Sequence, residues 1–143
     1  MKYLLDTCVI TELIKPKPDN NVVHWVKSQV ENQLYISVLT LGEISKGIEK
    51  VRDELRRKKL LLWVENDLRE RFQRRILPVN EQVAMIWGQI QGMAEKQGRR
   101  MPAIDSLIAA TGLAFNMVVV TRNISDMQTS GAVLLDPWNL RNL

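Results

Sequence analysis

Residues that build covalent or zinc-based sites are almost missing from this sequence of 143 residues. Cys8 is the only cysteine and His24 the only histidine. One cysteine cannot form an internal disulfide, and this pair supplies too few ligands for a Cys/His zinc site. Cys8 follows an apolar strand and His24 lies in an amphipathic stretch. A core thiol and a half-exposed helix histidine are therefore favoured over a nucleophilic Cys8–His24 pair.

Long apolar runs are also missing. Only three apolar residues follow Lys2 before Asp6 interrupts them, so the sequence shows no secretory signal. The most apolar stretch, 104–120, contains an aspartate, a glycine and an asparagine, and it is too short and too polar to cross a membrane. The sequence predicts a cytoplasmic protein without a membrane segment.

The composition is that of one folded domain. Hydrophobic residues make up 45% of the chain and charged residues 25%, which is typical of a soluble globular protein with a sizeable core. No internal repeat, low-complexity stretch or linker divides the sequence. We expect a single domain over residues 1–143.

Positive charge is concentrated in one segment. The formal net charge is +4, and residues 52–75 contain nine basic and five acidic residues, so this segment accounts for the whole excess. A basic surface favours polyanionic partners such as nucleic acid. A solvated helical face is the alternative explanation for any single lysine or arginine here.

Short apolar runs alternate with amphipathic segments along the chain. The runs that predict strands are Lys2–Leu5, Leu34–Val38, Ile76–Val79, Met117–Val120 and Ala132–Leu135. The segments that predict helices are 20–30, 40–50, 53–75 (one long helix or a helical pair), 81–96, and one that begins near Pro102. This alternation predicts an α/β fold, a three-layer α/β/α sandwich with a mainly parallel central sheet.

Acidic or amide side chains occur where these strands end or these helices begin. They are Asp6, Glu43, Asp105, Asn123 and Asp126. In a parallel sheet the carboxyl ends of the strands share one edge, where ligands usually bind, so we expect these side chains to meet. Two carboxylates at ~5 Å repel by roughly 3 kcal/mol at an effective dielectric of ~20. Such a cluster normally holds a proton or a hard divalent cation such as magnesium or manganese.

Glu43 also has a structural interpretation. Thr40-Leu41-Gly42-Glu43 matches the S/T-x-x-E capping box, which predicts that a helix begins at this point. The acids of the chain would then serve mainly as helix caps in a protein interaction unit. Asp6 argues against this alternative, since it ends a strand and is not expected to cap a helix.

Four segments, taken together, resemble PIN domains of the VapC and FitB kind, the toxins of type II toxin–antitoxin pairs. They are LLDTCVITELIK, ISVLTLGEISKGI, PAIDSLIAATGLAFNMVVVTRNISDM and DPWNL. They occur in the family's order and cover nearly the whole chain. The resemblance implies a PIN-like fold and a metal-dependent endoribonuclease.

The resemblance also implies the site residues. Asp6, Glu43 and Asp105 match the family's three core acids, which would hold Mg²⁺ or Mn²⁺, with Glu43 bound directly or through water. The fourth place is open between Asn123, where FitB-like members have an aspartate, and Asp126, where many VapC toxins keep an acid. A metal-activated water would then cleave the RNA phosphodiester and leave a 5′-phosphate and a 3′-hydroxyl.

Three further residues near these acids are candidate substrate-binding residues. Thr7 and Thr121 can hydrogen-bond the carboxylates or the RNA phosphate, and their alternative role is to satisfy the backbone at the strand ends. Arg122 can clamp a phosphate, and a solvent-facing loop arginine is the alternative.

The same resemblance implies the partners of the protein. It implies a small VapB-like antitoxin, an RNA substrate and a homodimer of the toxin.

The alternative function is a non-catalytic PIN-like module that binds RNA or protein. Such a module would lack one or more of the core acidic residues. A haloacid-dehalogenase-type phosphatase needs Asp-x-Asp after its first strand, and this chain has Asp6-Thr7-Cys8.

Overall fold

The computed structural model describes residues 1–140 and has a five-stranded, fully parallel sheet at its centre. The strand order is β3-β2-β1-β4-β5. The strands are β1 (Tyr3–Leu5), β2 (Leu34–Ser37), β3 (Ile76–Leu77), β4 (Val118–Val120) and β5 (Leu134–Leu135). In register, Leu5 of β1 lies beside Val120 of β4, so the residues that follow these two strands are neighbours.

Eight α-helices of the described chain surround this sheet. They are α1 (Thr7–Leu13), α2 (Asn20–Ser28), α3 (Val38–Glu49), α4 (Glu54–Trp63), α5 (Arg69–Arg71), α6 (Glu81–Lys96), α7 (Ala103–Ala114) and α8 (Ile124–Met127). A π-helical turn, Val64–Leu68, joins α4 to α5, and short 3-10 turns occupy Glu31–Gln33 and Gln128–Ser130.

The two faces of the sheet bury separate cores. Alternate residues of a strand point to opposite faces, so Leu5 packs with residues of α1 to α4 while Leu4 packs with residues of α7 and α8. This arrangement confirms the predicted three-layer α/β/α sandwich. Within residues 1–140, every helix is too short or too polar to span a lipid bilayer.

Gly112 lets α7 approach the sheet closely. A Cβ atom at this position would collide with the Val119 side chain and would lie 3.4 Å from the carbonyl oxygen of Met117. The absence of a side chain therefore allows the close approach of the C-terminal part of α7 to β4.

The helix predicted at residues 40–50 begins earlier than expected. Ser37 is its N-cap, with its hydroxyl accepting from the backbone N–H of Leu39 at 3.0 Å. Glu43 therefore lies in the second turn of α3 and caps nothing, so the capping-box prediction is wrong. The physical reason is that β2 passes directly into α3, and serine at the end of the strand caps as well as threonine three residues later.

The segment 53–75 is neither one helix nor a simple helical pair. Leu68 and Phe72 are buried, whereas Leu61 is 42% exposed, and the π-helical turn Val64–Leu68 interrupts the α-helical periodicity between them. Arg74 adopts a left-handed conformation (φ 68°) and ends the helical segment before β3.

Several predicted strands are longer than the observed strands. The predicted domain range of 1–143 includes residues 141–143, which lie outside the described residues.

Candidate active site

Asp6 is the buried centre of the site, with only 2% of its surface exposed. Its position follows from the direct passage of β1 into α1, which makes Asp6 the N-cap of that helix. Its Oδ1 accepts from the backbone N–H of Thr7 at 2.8 Å, and its Oδ2 accepts from the Thr121 hydroxyl at 2.7 Å. The expectation that a strand-terminal Asp6 cannot cap a helix is wrong, because no loop separates strand from helix.

Thr121 ties Asp6 to the loop that follows β4. The backbone N–H of Asp6 donates to the Val120 carbonyl at 2.9 Å, which aligns the ends of the two strands. The Thr121 hydroxyl is fully buried; it donates to Asp6 and accepts from the backbone N–H of Asn123 at 2.9 Å. One side chain therefore orients the central carboxylate and the start of the loop that carries Asn123 and Asp126.

Glu43 reaches the same region from α3. The Thr7 hydroxyl donates to Glu43 Oε1 at 2.6 Å and lies 3.0 Å from the hydroxyl of the buried Thr40. Thr7 thus links two acids, because its backbone N–H contacts Asp6 while its hydroxyl contacts Glu43. Thr7 and Thr121 both hydrogen-bond carboxylates, which was one of the two roles open to them.

Asp105 lies in the first turn of α7, and side chains of α6 hold that helix end in place. The amide of Gln91 donates to the Met101 carbonyl at 2.9 Å and accepts from the Met101 N–H at 3.0 Å. The Trp87 indole donates to the Ser106 hydroxyl at 2.9 Å. Sequence reasoning missed Gln91, whose only signal was a polar residue facing the core of an amphipathic helix.

The carboxylates interact electrostatically. Burial raises the pKa of Asp6, and the hydrogen bond from Thr121 opposes this effect. The pKa of Asp105 is raised to about 6, first by burial and then by the charges of Asp6, Asp126 and Glu43. The other three acids are therefore each close enough to act on Asp105. None of the four has an ion-pair partner within residues 1–140.

The carboxylate oxygens of this site are chemically suited to bind a hard divalent cation. Carboxylate oxygens are the preferred ligands of magnesium and manganese, and the repulsion that raises the pKa of Asp105 would be relieved by a positive ion. Within the described chain, no three His, Cys, Asp or Glu side chains come together tightly enough to form a ready-made cation site. Magnesium commonly keeps several waters, so it does not need such a closed cage.

The remaining predicted residues differ in their surroundings. Asn123 precedes α8, and its side chain makes no capping bond, while Asp126 is exposed on α8. The exposed Arg122 places its guanidinium over the Trp138 ring, 5.2 Å from the ring centre. Arg122 is thus held against the C-terminal segment, although its polar edge remains available to an anion.

Cys8 is unsuited to nucleophilic catalysis. Burial, and then the charge of Asp6, raise the pKa of its thiol to about 11, so it stays protonated at neutral pH. The side chain of His24 is exposed on α2.

Comparison with known proteins gives consistent matches over nearly the whole chain. The family model described as PIN domain matches residues 3–125. The chain is 32% identical to Toxin FitB of Neisseria gonorrhoeae over 136 residues, covering 95% of this chain and 98% of that protein. It is 30% identical to VapC ribonuclease Y4jK of Sinorhizobium fredii over 135 residues, covering 94% and 96%.

A solved structure shows the same architecture. The crystal structure of FitAcB from Neisseria gonorrhoeae superposes with a TM-score of 0.92 at 33% identity, covering 96% of this chain and 99% of that chain.

Proposed function

Because this chain belongs to the PIN domain family, we propose that it is the ribonuclease toxin of a type II toxin–antitoxin pair. The proposal is that it hydrolyses RNA phosphodiesters with Mg²⁺ or Mn²⁺. The observation that supports it best is the convergence of four carboxylates from different parts of the chain, in which burial and then the charges of Asp6, Asp126 and Glu43 raise the pKa of Asp105. Similarity over nearly the full length to proteins named as toxins and ribonucleases supports the same function.

Asp6 and Asp105 would hold the metal, with Glu43 bound directly or through water, and Asn123 or Asp126 would complete the site. The bound ion would supply a water of lowered pKa and would polarise the scissile phosphate. Thr121 and Thr7 fix the orientation of the Asp6 and Glu43 carboxylates through bonds of 2.7 Å and 2.6 Å. A pre-oriented acid does not have to reorganise when it binds its ligand.

Water as the nucleophile predicts products with a 5′-phosphate and a 3′-hydroxyl. Thr7, Thr121 and Arg122 stay candidates for contact with the RNA. A non-catalytic PIN-like module is the weaker alternative, because Asp6, Glu43 and Asp105 are all present and electrostatically coupled.

The proposed partners are a small VapB-like antitoxin and a second copy of the chain. The solved neighbours are toxin–antitoxin complexes, which supports the antitoxin. We further propose a cytoplasmic protein whose residues 1–143 form one domain.

Metal-dependent cleavage of RNA by the purified protein tests this function. We expect Asp6→Asn and Asp105→Asn to abolish cleavage in Mg²⁺ or Mn²⁺ while the protein stays folded. EDTA should abolish cleavage by the wild type. Asp67→Asn, at an exposed acid remote in sequence from the site, is the matched control and should stay active.

In cells, expression of the wild type alone should arrest growth, and Asp6→Asn should relieve the arrest. Full activity of Asp105→Asn, or normal growth with abundant wild-type protein, would contradict the proposal.

A further inference from the structure

A polar cavity of about 390 Å³ lies next to the carboxylate site. One wall comes from the connection between α6 and α7 and contains Arg99 and Arg100. The opposite wall comes from α8 and the turn after it, and contains Ser125, Asp126 and Thr129. Asp126 belongs to both places, since its charge acts on Asp105. A strand of RNA bound at the acids can therefore extend directly into this cavity.

The two arginines of the cavity have no partner of their own. Neither guanidinium forms an ion pair or a hydrogen bond within residues 1–140, and both side chains are exposed. By contrast, Arg57, Arg71 and Arg75 are occupied by Glu49, by Glu31, and by backbone carbonyls of residues 31 and 34. Free guanidinium groups next to a site for a polyanion are well suited to bind phosphate, which they can contact with two parallel hydrogen bonds.

The backbone beneath the arginines is fixed. Gly98 takes a left-handed conformation (φ 69°) to end α6, the Arg99 N–H donates to the Ala94 carbonyl at 2.8 Å, and Gln91 binds both backbone groups of Met101. The chain on both sides of Arg100 is therefore anchored to α6. When the backbone is already ordered, less conformational entropy is lost as the side chain binds its ligand.

We propose that Arg99 and Arg100, with the Ser125 and Thr129 hydroxyls, bind a backbone phosphate of the RNA next to the phosphate that is cleaved. The inference rests on the proposed ribonuclease function and adds a substrate-binding site to it. The ligand is single-stranded RNA, recognised through its charge and not through its bases. Asp126 lies between this phosphate position and the metal site. Its negative charge repels a phosphate placed between these two positions.

Kinetics on the double variant Arg99→Gln/Arg100→Gln test the site. The probe is the shortest single-stranded RNA that the wild type cleaves in Mg²⁺. Each lost contact removes a charge-assisted hydrogen bond, so KM should rise by about tenfold or more, with a much smaller change in kcat. The salt dependence of RNA affinity, measured on Asp6→Asn forms, should become shallower by about 0.7 in log–log slope for each lost contact.

Lys27→Gln/Lys50→Gln is the matched control, since it removes the same charge from exposed side chains that do not line the cavity. It should leave KM nearly unchanged. Replacing one phosphate at a time by an uncharged methylphosphonate should reveal a single position, adjacent to the cleaved bond, where the wild type loses affinity and the arginine variant does not.

Each possible failure has a different signature. Wild-type protein that cleaves no RNA with metal would overturn the proposed function itself. Metal-dependent cleavage with the same KM and salt slope in the arginine variant would overturn only the phosphate site. Unchanged KM together with lost binding of the protein partner would show that the arginines contact that partner, and would also overturn the inference.

Discussion

The environment of Asp105 makes the site sensitive to pH. Its pKa of about 6 is high for an aspartate because of partial burial and three neighbouring acids. The folded protein therefore binds this proton more tightly than the unfolded chain. Stability must fall as pH rises from about 4 to about 6, and the full cost remains above that window. Solvent screening of the partly exposed carboxyl keeps this cost on the order of 1 kcal/mol.

Asp105→Asn should therefore stabilise the metal-free protein at neutral and higher pH. In EDTA near pH 8 we expect a melting temperature about 2–4 °C above that of the wild type, and near pH 4 the difference should vanish. Mg²⁺ should raise the melting temperature of the wild type much more than that of the variant. Asp67→Asn serves as the control, and a pH-independent difference would contradict the electrostatic explanation.

Glu43 provides a second test at the scale of one residue. The structure removes its capping role, since Ser37 caps α3. Glu43→Gln keeps the shape of the side chain and an oxygen for the Thr7 hydroxyl, but it removes the charge. We expect cleavage to fall on the order of a hundredfold with little change in melting temperature.

Glu49→Gln, at the end of the same helix, is the control for this change. Its ion pair with Arg57 is exposed and contributes little, so activity should persist. Normal cleavage by Glu43→Gln would show that its charge is not needed.

At the scale of elements, the placement of α7 decides where Asp105 lies. Two hydrogen bonds between Gln91 and Met101 hold the chain just before α7, and the close contact of Gly112 with β4 holds α7 against the sheet. Neither contact involves Asp105 itself. Residues far from the chemistry can therefore control it.

Gln91→Leu should destabilise the protein and impair cleavage together. The change leaves the N–H and C=O of the buried Met101 without partners, which costs about 2–4 kcal/mol. Urea unfolding measures this loss. Gln89→Leu, at an exposed position of the same helix, should be close to neutral. Equal stability of the two variants would mean that water satisfies Met101 in the absence of Gln91.

At the scale of the whole molecule, the basic residues of the segment 52–75 fall into two groups. Arg57, Arg69 and Arg71 form ion pairs with Glu49, Glu65 and Glu31, and Arg75 binds backbone carbonyls. The rest make no ion pair within the described chain: Arg52, Arg56, Lys58, Lys59 and Arg74. Within this segment, only the second group has unpaired charges that can attract a polyanion.

Reversal of Arg56, Lys58 and Lys59 to Glu should weaken RNA binding and flatten its salt dependence, because fewer counterions are released. The measurement is RNA affinity at several salt concentrations on the Asp6→Asn form. Arg75→Gln should instead lower stability and leave the slope alone. An unchanged slope with disturbed assembly in the triple variant would assign this face to a protein partner.

The sequence by itself determined the order of the five strands, the helical segments from 20 onward to the helix near Pro102, the parallel α/β class and the family, but it did not predict the short helices α1 and α8. Hydrophobic periodicity is a local property, and so is the position of Asp6, Asp105 and Asn123 at the ends of elements. The helix at 81–96 was predicted with its observed ends, since Glu81–Lys96 has both a clear apolar face and a glycine stop.

Only the tertiary structure decided how the site is held together. The bond between Thr7 and Glu43 joins residues 36 positions apart, and the bond between Thr121 and Asp6 joins residues 115 positions apart. No local pattern encodes such contacts, because they arise when β1 pairs with β4 and α1 packs beside α3. The same long-range packing partly buries Asp105 near other acids and raises its pKa, because a carboxylate's pKa depends on its neighbours in space rather than in sequence.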